Sequence, residues 1–250
     1  MNLISAFVRR RVAHINHRWI GELSLTLLLP IGIYITLGFG LTNAIPEIEA
    51  VPKLAWLIPG IVLMIAFSGG LITVFHDLFL NRSSNQFYGT VYTSPATIVA
   101  TVTSLTVSVI PEGAVRSVLA IAILQSLLGY VYPFTGQLLM VFLIILAVLI
   151  GASAGVTLGI VAKDAIASQL TILLLLIGLG FCSSWFVPLE TFPDSIQPLL
   201  AVLPTSVLGE LSRGVLIGAP VSATLFLIPI GTVIFWTVVN VFLFSKISTE

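Results

Sequence analysis

The chain has 250 residues, of which 58% are hydrophobic and 8% charged, and its 10 Lys and Arg balance its 10 Asp and Glu. A soluble domain carries about 25% charged residues, so this composition excludes a water-covered surface over most of the chain, and zero net charge argues against nucleic acid as the partner. The single cysteine, Cys182, stands inside an apolar run, so no intrachain disulfide is possible and redox compartment is undetermined.

In chain order, residues 1–19 read as a separate element. Leu3, Ile4, Phe7, Val8, Val12, Ile15 and Trp19 recur at helical spacing, while Arg9, Arg10, Arg11 and His17 fall largely on the other face. Such an amphipathic helix lies along the inner headgroups. Two uses fit it: a topology anchor, and a contact strip for a cytoplasmic partner. The basic run followed by an apolar stretch mimics a secretory signal, but the apolar run from Trp19 to Leu41 exceeds the roughly 7–15 residues of a signal core, so it reads as an uncleaved helix.

A crossing helix needs about 20 mostly apolar residues. Six stretches qualify: 20–41, 54–75, 113–132, 138–161, 169–187 and 221–244. Residues 97–110 are apolar but rich in Thr and Ser, and Pro111-Glu112 interrupts the run. They belong either at the cytoplasmic interface or in the lower part of a long third helix. Glu112 and Arg116 are four apart and can pair on one helix face. With both termini inside, Arg9, Arg10, Arg11, Arg18, Arg82, Lys163 and Lys246 lie on the cytoplasmic side, against Lys53 and Arg213 outside, which fixes the direction of threading.

Several kinds of chemistry are missing. No G-x-x-x-x-G-K-S/T sequence occurs, so nucleotide is not held by a P-loop in this chain. His14, His17 and His76 are far apart and lack convincing metal-ligand spacing, and His76-Asp77 reads as a solvated helix end. Gly151-Ala152-Ser153-Ala154-Gly155 matches the nucleophile elbow of hydrolases, but that motif needs a strand, a sharp turn and a histidine within reach. Gly151, Gly155 and Gly159 are spaced instead to let two helices approach closely. No ionisable residue falls at the centre of a clear span, which argues against ion-coupled transport and places the energy source outside the chain.

Two loops remain. The segment from His76 to Pro95 mixes Asn81, Arg82, Asn85 and Gln86 with Phe79, Phe87, Tyr88 and Tyr92. It fits equally an interfacial aromatic belt and a set of knobs that dock in a groove on another protein. The segment from Phe181 to Ile217 is apolar but broken by Pro188, Pro193 and Pro204, and it carries Glu210 and Arg213 three apart, able to pair across one turn. Broken helix is tolerated in a bilayer only where protein or a water-filled cavity surrounds it.

The pieces resemble one family. Leu57-Ile58-Pro59-Gly60-Ile61 looks like the Pro-Gly opening of the second helix in the membrane subunits of type-2 ABC exporters, the ABC-2 permeases. Gln86 to Pro95 looks like that family's cytoplasmic segment before the third helix, Lys163-Asp164-Ala165 like its short inner turn before the fifth, and Val187-Pro188, Phe192-Pro193, Leu203-Pro204-Thr205 and Glu210 to Arg213 like its external signature. The chain departs from the pattern at Ser183-Ser184-Trp185, where Ser-Gly is common, and in the interrupted run before Glu112.

The resemblance implies an all-α integral membrane fold in one domain, 1–250: six transmembrane helices, an N-terminal amphipathic interfacial helix (1–19), a cytoplasmic coupling helix (76–96) and an external re-entrant helical hairpin (188–217) between helices 5 and 6. It also implies a homodimer of permease chains in a bacterial-type inner membrane, with two copies of a separate ABC ATPase subunit that bind ATP and Mg. Arg82, Phe87, Tyr88, Tyr92, Arg10 and Arg11 would meet the ATPase subunit. Tyr34, Thr36, Phe67, Ser68, Phe181, Ser184 and Trp185 would line the path and the dimer seam, and Pro188, Pro193, Pro204, Glu210 and Arg213 would shape the external cap. An apolar path without fixed charge suits an amphiphilic cargo, either a lipid-linked glycan or a drug-like molecule, better than a hydrated ion. The competing expectations are an intramembrane hydrolase using Ser153 and a non-transporting membrane scaffold.

Overall fold

A computed structural model of the protein describes residues 3–17, 19–41, 53–83, 97–218 and 222–247. Every regular element among them is helical. In order these are α1 (Leu3–His17), α2 (Trp19–Leu41), α3 (Leu57–Ser83), α4 (Ile98–Val107), α5 (Ile110–Leu128), α6 (Phe134–Val161), α7 (Ala165–Cys182), the short α8 (Gln197–Ala201), α9 (Pro204–Ile217) and α10 (Leu227–Ile247). Five stretches among the described residues are long and apolar enough to cross a membrane: Leu54–Phe79, Ile98–Leu128, Phe134–Val161, Ala165–Cys182 and Ala223–Lys246. In α2 the apolar stretch that can be described is shorter, Thr26–Gly40.

Of the two places open to residues 97–110, the structure takes the long third helix, so this span is longer than 113–132. It begins at Ile98 and takes residues 97–110 into its lower half. Thr97 caps it, its Oγ1 accepting from the Ala100 N–H at 3.2 Å. The Thr and Ser side chains that make this stretch look interfacial bond back to their own helix. Thr103 and Thr106, for instance, donate to Val99 and Val102 carbonyls, so their hydroxyls cost little in an apolar setting. Regular helix lapses at Ser108 and Val109, because Pro111 has no N–H to give to the preceding turn. The span ends at Leu128, where Gly129 adopts φ 67° and closes the helix in the left-handed conformation. The fifth span also ends earlier than 187, at Cys182. Its start is set by Asp164, whose side chain accepts from the Ala167 N–H at 2.8 Å.

The core is the parallel contact of α3 with α6, in which Phe67, Leu71 and Leu78 of one meet Gly151, Gly155 and Gly159 of the other. A methyl group on Gly151 would overlap the Phe67 carbonyl oxygen, one on Gly155 would lie 2.5 Å from the Leu71 carbonyl oxygen, and one on Gly159 would lie 2.8 Å from the Leu78 Cβ. The glycine row therefore does what its spacing predicts and lets the two backbones touch. Ser153 itself is buried, with 1% of the residue exposed, and its carbonyl accepts from Asn240 on α10. Helix α6 also packs against α4, α5, α9 and α10. Helices α7 and α10 are the least covered: α7 buries only Ile172, Leu176 and Gly180 and leaves Ile166, Leu170, Leu173, Leu174 and Ile177 exposed, and α10 leaves Leu227, Ile234, Phe235, Val238 and Phe242 exposed.

Candidate functional site

The polar groups of this apolar molecule collect in three places along α3 and α6. At the lower end, α1 turns Arg11 inward, with 7% of the residue exposed. Its guanidinium reaches three elements at once. Nη2 meets Asp77 Oδ2 on α3 at 2.6 Å, Nε donates to Ser108 Oγ at 3.2 Å, and Nη1 lies 3.6 Å from Glu112 Oε2 on α5. Arg10 holds the other Asp77 oxygen at 3.0 Å, and Arg116 holds Glu112 at 2.6 Å. Burial pulls the Arg11 pKa down, while Asp77 and Glu112 push it back up. A guanidinium stays charged under such opposing effects. Asp77 is thus an ion-pair partner and not a solvated helix end. Glu112 and Arg116 do pair, near the middle of the long third span.

At the upper end, the chain leaves α7 at Cys182 and doubles back through Ser183 to Phe186 before α9. Ser184 stands at φ 60°, the left-handed region that favours glycine. That is the place where the sequence departs from the Ser-Gly pattern. The loop is held from inside by Arg213 on α9. Its Nη1 donates to Ser184 Oγ at 2.8 Å, Nη2 donates to the Ser184 and Trp185 carbonyls (the latter at 2.9 Å), and Nε donates to the Trp56 carbonyl at 3.4 Å. The guanidinium carbon lies 3.6 Å above the Trp56 ring. Trp185 is fully buried, donates from Nε1 to the Thr205 carbonyl at 2.9 Å, and meets Phe67 edge-on at 5.9 Å. Gly60 makes room for this loop, since a methyl there would overlap the Trp185 carbonyl. Arg213 therefore does not bond to Glu210, as their spacing allows, but to backbone. Glu210 feels it at longer range: partial desolvation of its otherwise exposed side chain raises the Glu210 pKa and Arg213 opposes the rise.

Midway, Asn240 fixes α10 to α6. Its Nδ2 donates to the Ser153 carbonyl at 2.9 Å, and its Oδ1 accepts from Thr157 Oγ1 at 2.7 Å. Trp236 Nε1 donates to the same Thr157 oxygen at 2.9 Å. Neither residue stood out in the sequence, although a lone carboxamide in an apolar span is the kind of group that turns toward a neighbouring helix. Asn240→Leu is expected to lower stability by about 1 kcal/mol, the scale of an interhelical hydrogen bond in a membrane, as thermal unfolding in detergent would register.

The sequence candidates divide accordingly. Tyr34, Phe67, Ser184 and Trp185 are buried within one chain, Ser68 is half-buried, and Thr36 and Phe181 are exposed. Tyr34 Oη and Ser153 Oγ have no hydrogen-bond partner among the described residues. Pro188 is buried, Pro204 half-buried, and Pro193 and Glu210 are exposed. Arg10 faces outward and Arg11 inward, so of the two only Arg10 offers its head group to a partner. Arg82 lies in the last turn of α3. Phe87, Tyr88 and Tyr92 lie outside the described residues.

Five membrane-length helices, an amphipathic helix tied to their lower ends and a broken, internally capped segment before the last one define a polytopic helical membrane protein. The family model of the ABC-2 type transporter matches residues 3–217. The chain belongs to the ABC-2 type transporter family, and it is a permease component of an ABC transporter. No curated protein matches it closely enough to count as a relative.

Proposed function

We propose that this chain is the permease subunit of an ATP-driven exporter, working as a pair of copies on two ATPase subunits and moving an amphiphilic or lipid-linked cargo. The family match over residues 3–217 carries this reading. Within it, α2 is the sixth crossing helix, both termini are cytoplasmic, and residues 183–217 cap the outer end. The exposed apolar face of α7, together with Leu28, Ile35 and Phe39 of α2, is the surface offered to the second copy. Phe67 and Trp185 are interior residues that stiffen the wall behind it. Cargo passes along apolar side chains, which suits a lipid-linked glycan or a drug-like molecule. ATP and Mg bind on the partner subunit, whose groove receives the segment around Arg82, Phe87, Tyr88 and Tyr92.

The test is loss of that docking. Tyr88→Ala and Arg82→Glu are each expected to lower retention of the ATPase subunit in a pull-down about tenfold or more, the result of removing roughly 2 kcal/mol at an anchor residue. Unchanged retention together with unchanged ATP hydrolysis in both variants would refute the assignment.

A further inference from the structure

The third span is broken at Ser108-Val109, and the residue that bridges the break belongs to a different part of the chain. Arg11 bonds Ser108 at the end of the lower half, faces Glu112 in the first turn of the upper half, and holds Asp77 on α3. The three nitrogens of one planar guanidinium thus go to three elements, and a rigid fork of this kind fixes their mutual angles in a way that a flexible ammonium cannot. The break is a proline break: the ladder resumes with Gly113 N–H to the Val109 carbonyl at 3.0 Å, but Pro111 supplies no donor across it. Above the break, α5 packs against α2 as well as α3 and α6. Its Gly113 lies so close to α6 that a methyl would come within 2.6 Å of the Val148 Cγ2. The upper half is therefore packed closely against α2, α3 and α6.

We propose that Arg11 is a positioning residue for transport: it ties movement of the interfacial helix α1 to the angle of the third span at Ser108-Val109, and through α5 to α2. Arg10 and Arg116 hold the outer oxygens of Asp77 and Glu112, so the two carboxylates stay aimed at Arg11. The inference rests on the reading that α1 moves with an ATPase subunit.

The experiment uses the assembled permease–ATPase complex in lipid nanodiscs, with Cys182 replaced by Ser and one spin label at Leu127, an exposed residue near the upper end of α5. The distance between the labels of the two copies is measured without nucleotide and after trapping with ATP and vanadate. In the parent complex the distance changes on trapping. Arg11→Met removes at least half of that change, while ATPase retention and basal ATP hydrolysis stay within about twofold. Arg11→Lys, which keeps the charge but not the fork, restores less than half of what is lost. Glu112→Gln keeps the side-chain shape and gives the same loss, which preserves the test if Arg11→Met does not fold. A parent complex that hydrolyses ATP but shows no distance change, or Arg11→Met and Glu112→Gln complexes that keep the full change, would overturn the inference and leave the permease reading intact. A chain that retains no ATPase subunit at all would sink both.

Discussion

Gly60→Ala is expected to be among the most damaging single-methyl additions in this protein. The added carbon would overlap the Trp185 carbonyl oxygen and sit 3.0 Å from the Trp185 Cα. Those atoms are backbone, so no rotamer change relieves the overlap, and the loop from Ser183 to Phe186 must move. Overpacking of this kind costs roughly 1–3 kcal/mol, and the displaced Trp185 carbonyl also loses its bond from Arg213. A fall of about 3 kcal/mol in stability should follow, with loss of transport. Gly231→Ala is the control: a methyl there meets nothing within 4 Å, and the exchange gains helix propensity. The measurement is thermal unfolding of both variants side by side in detergent, and equal unfolding temperatures would show that the loop from Ser183 to Phe186 is not seated on Gly60.

Arg213→Met is expected to have an effect of the same size by a different route. It leaves the carbonyls of Ser184, Trp185 and Trp56 without their donor in a buried setting. Each uncompensated acceptor costs about 1–3 kcal/mol, so a loss of roughly 3–5 kcal/mol follows, with opening of the segment between α7 and α9 to proteolysis. Arg213→Lys recovers little, because one ammonium cannot serve three carbonyls and stack on Trp56 together. Glu210→Gln, by contrast, should leave stability near that of the parent, since Glu210 is not what holds Arg213. If Arg213→Met unfolds like the parent chain, or if Glu210→Gln is the more damaging of the two, the cap is built differently.

These two positions also show what the sequence could reveal. Gly60 was visible as part of Leu57-Ile58-Pro59-Gly60-Ile61, but only the fold shows that the glycine makes room for a loop far along the chain. The glycines at 151, 155 and 159 were legible because a four-residue spacing has one main physical use in a bilayer. Local pairs were legible for the same reason, and Glu112 with Arg116 formed as expected. Arg213 was read as a partner of Glu210 because spacing reports only neighbours on one helix. Its true acceptors are carbonyls of a loop whose shape depends on Ser184 at φ 60°, and the residue type gives no sign of that. Arg11 and Asp77 are 66 residues apart, and nothing in either segment says that they face each other. Phe67 and Trp185 are buried within one chain, and an aromatic residue in an apolar run looks the same in sequence whether it faces lipid, a second copy or the interior.

Purification of the tagged 26.7 kDa chain from its native membranes in mild detergent, followed by native mass spectrometry and an ATP hydrolysis assay on the same sample, tests the central claim most directly. Two copies of this chain together with two copies of an ATP-hydrolysing subunit, with hydrolysis that disappears when that subunit is stripped away, is the expected result. A chain that purifies without any ATP-hydrolysing subunit and still moves solute across reconstituted vesicles would contradict it.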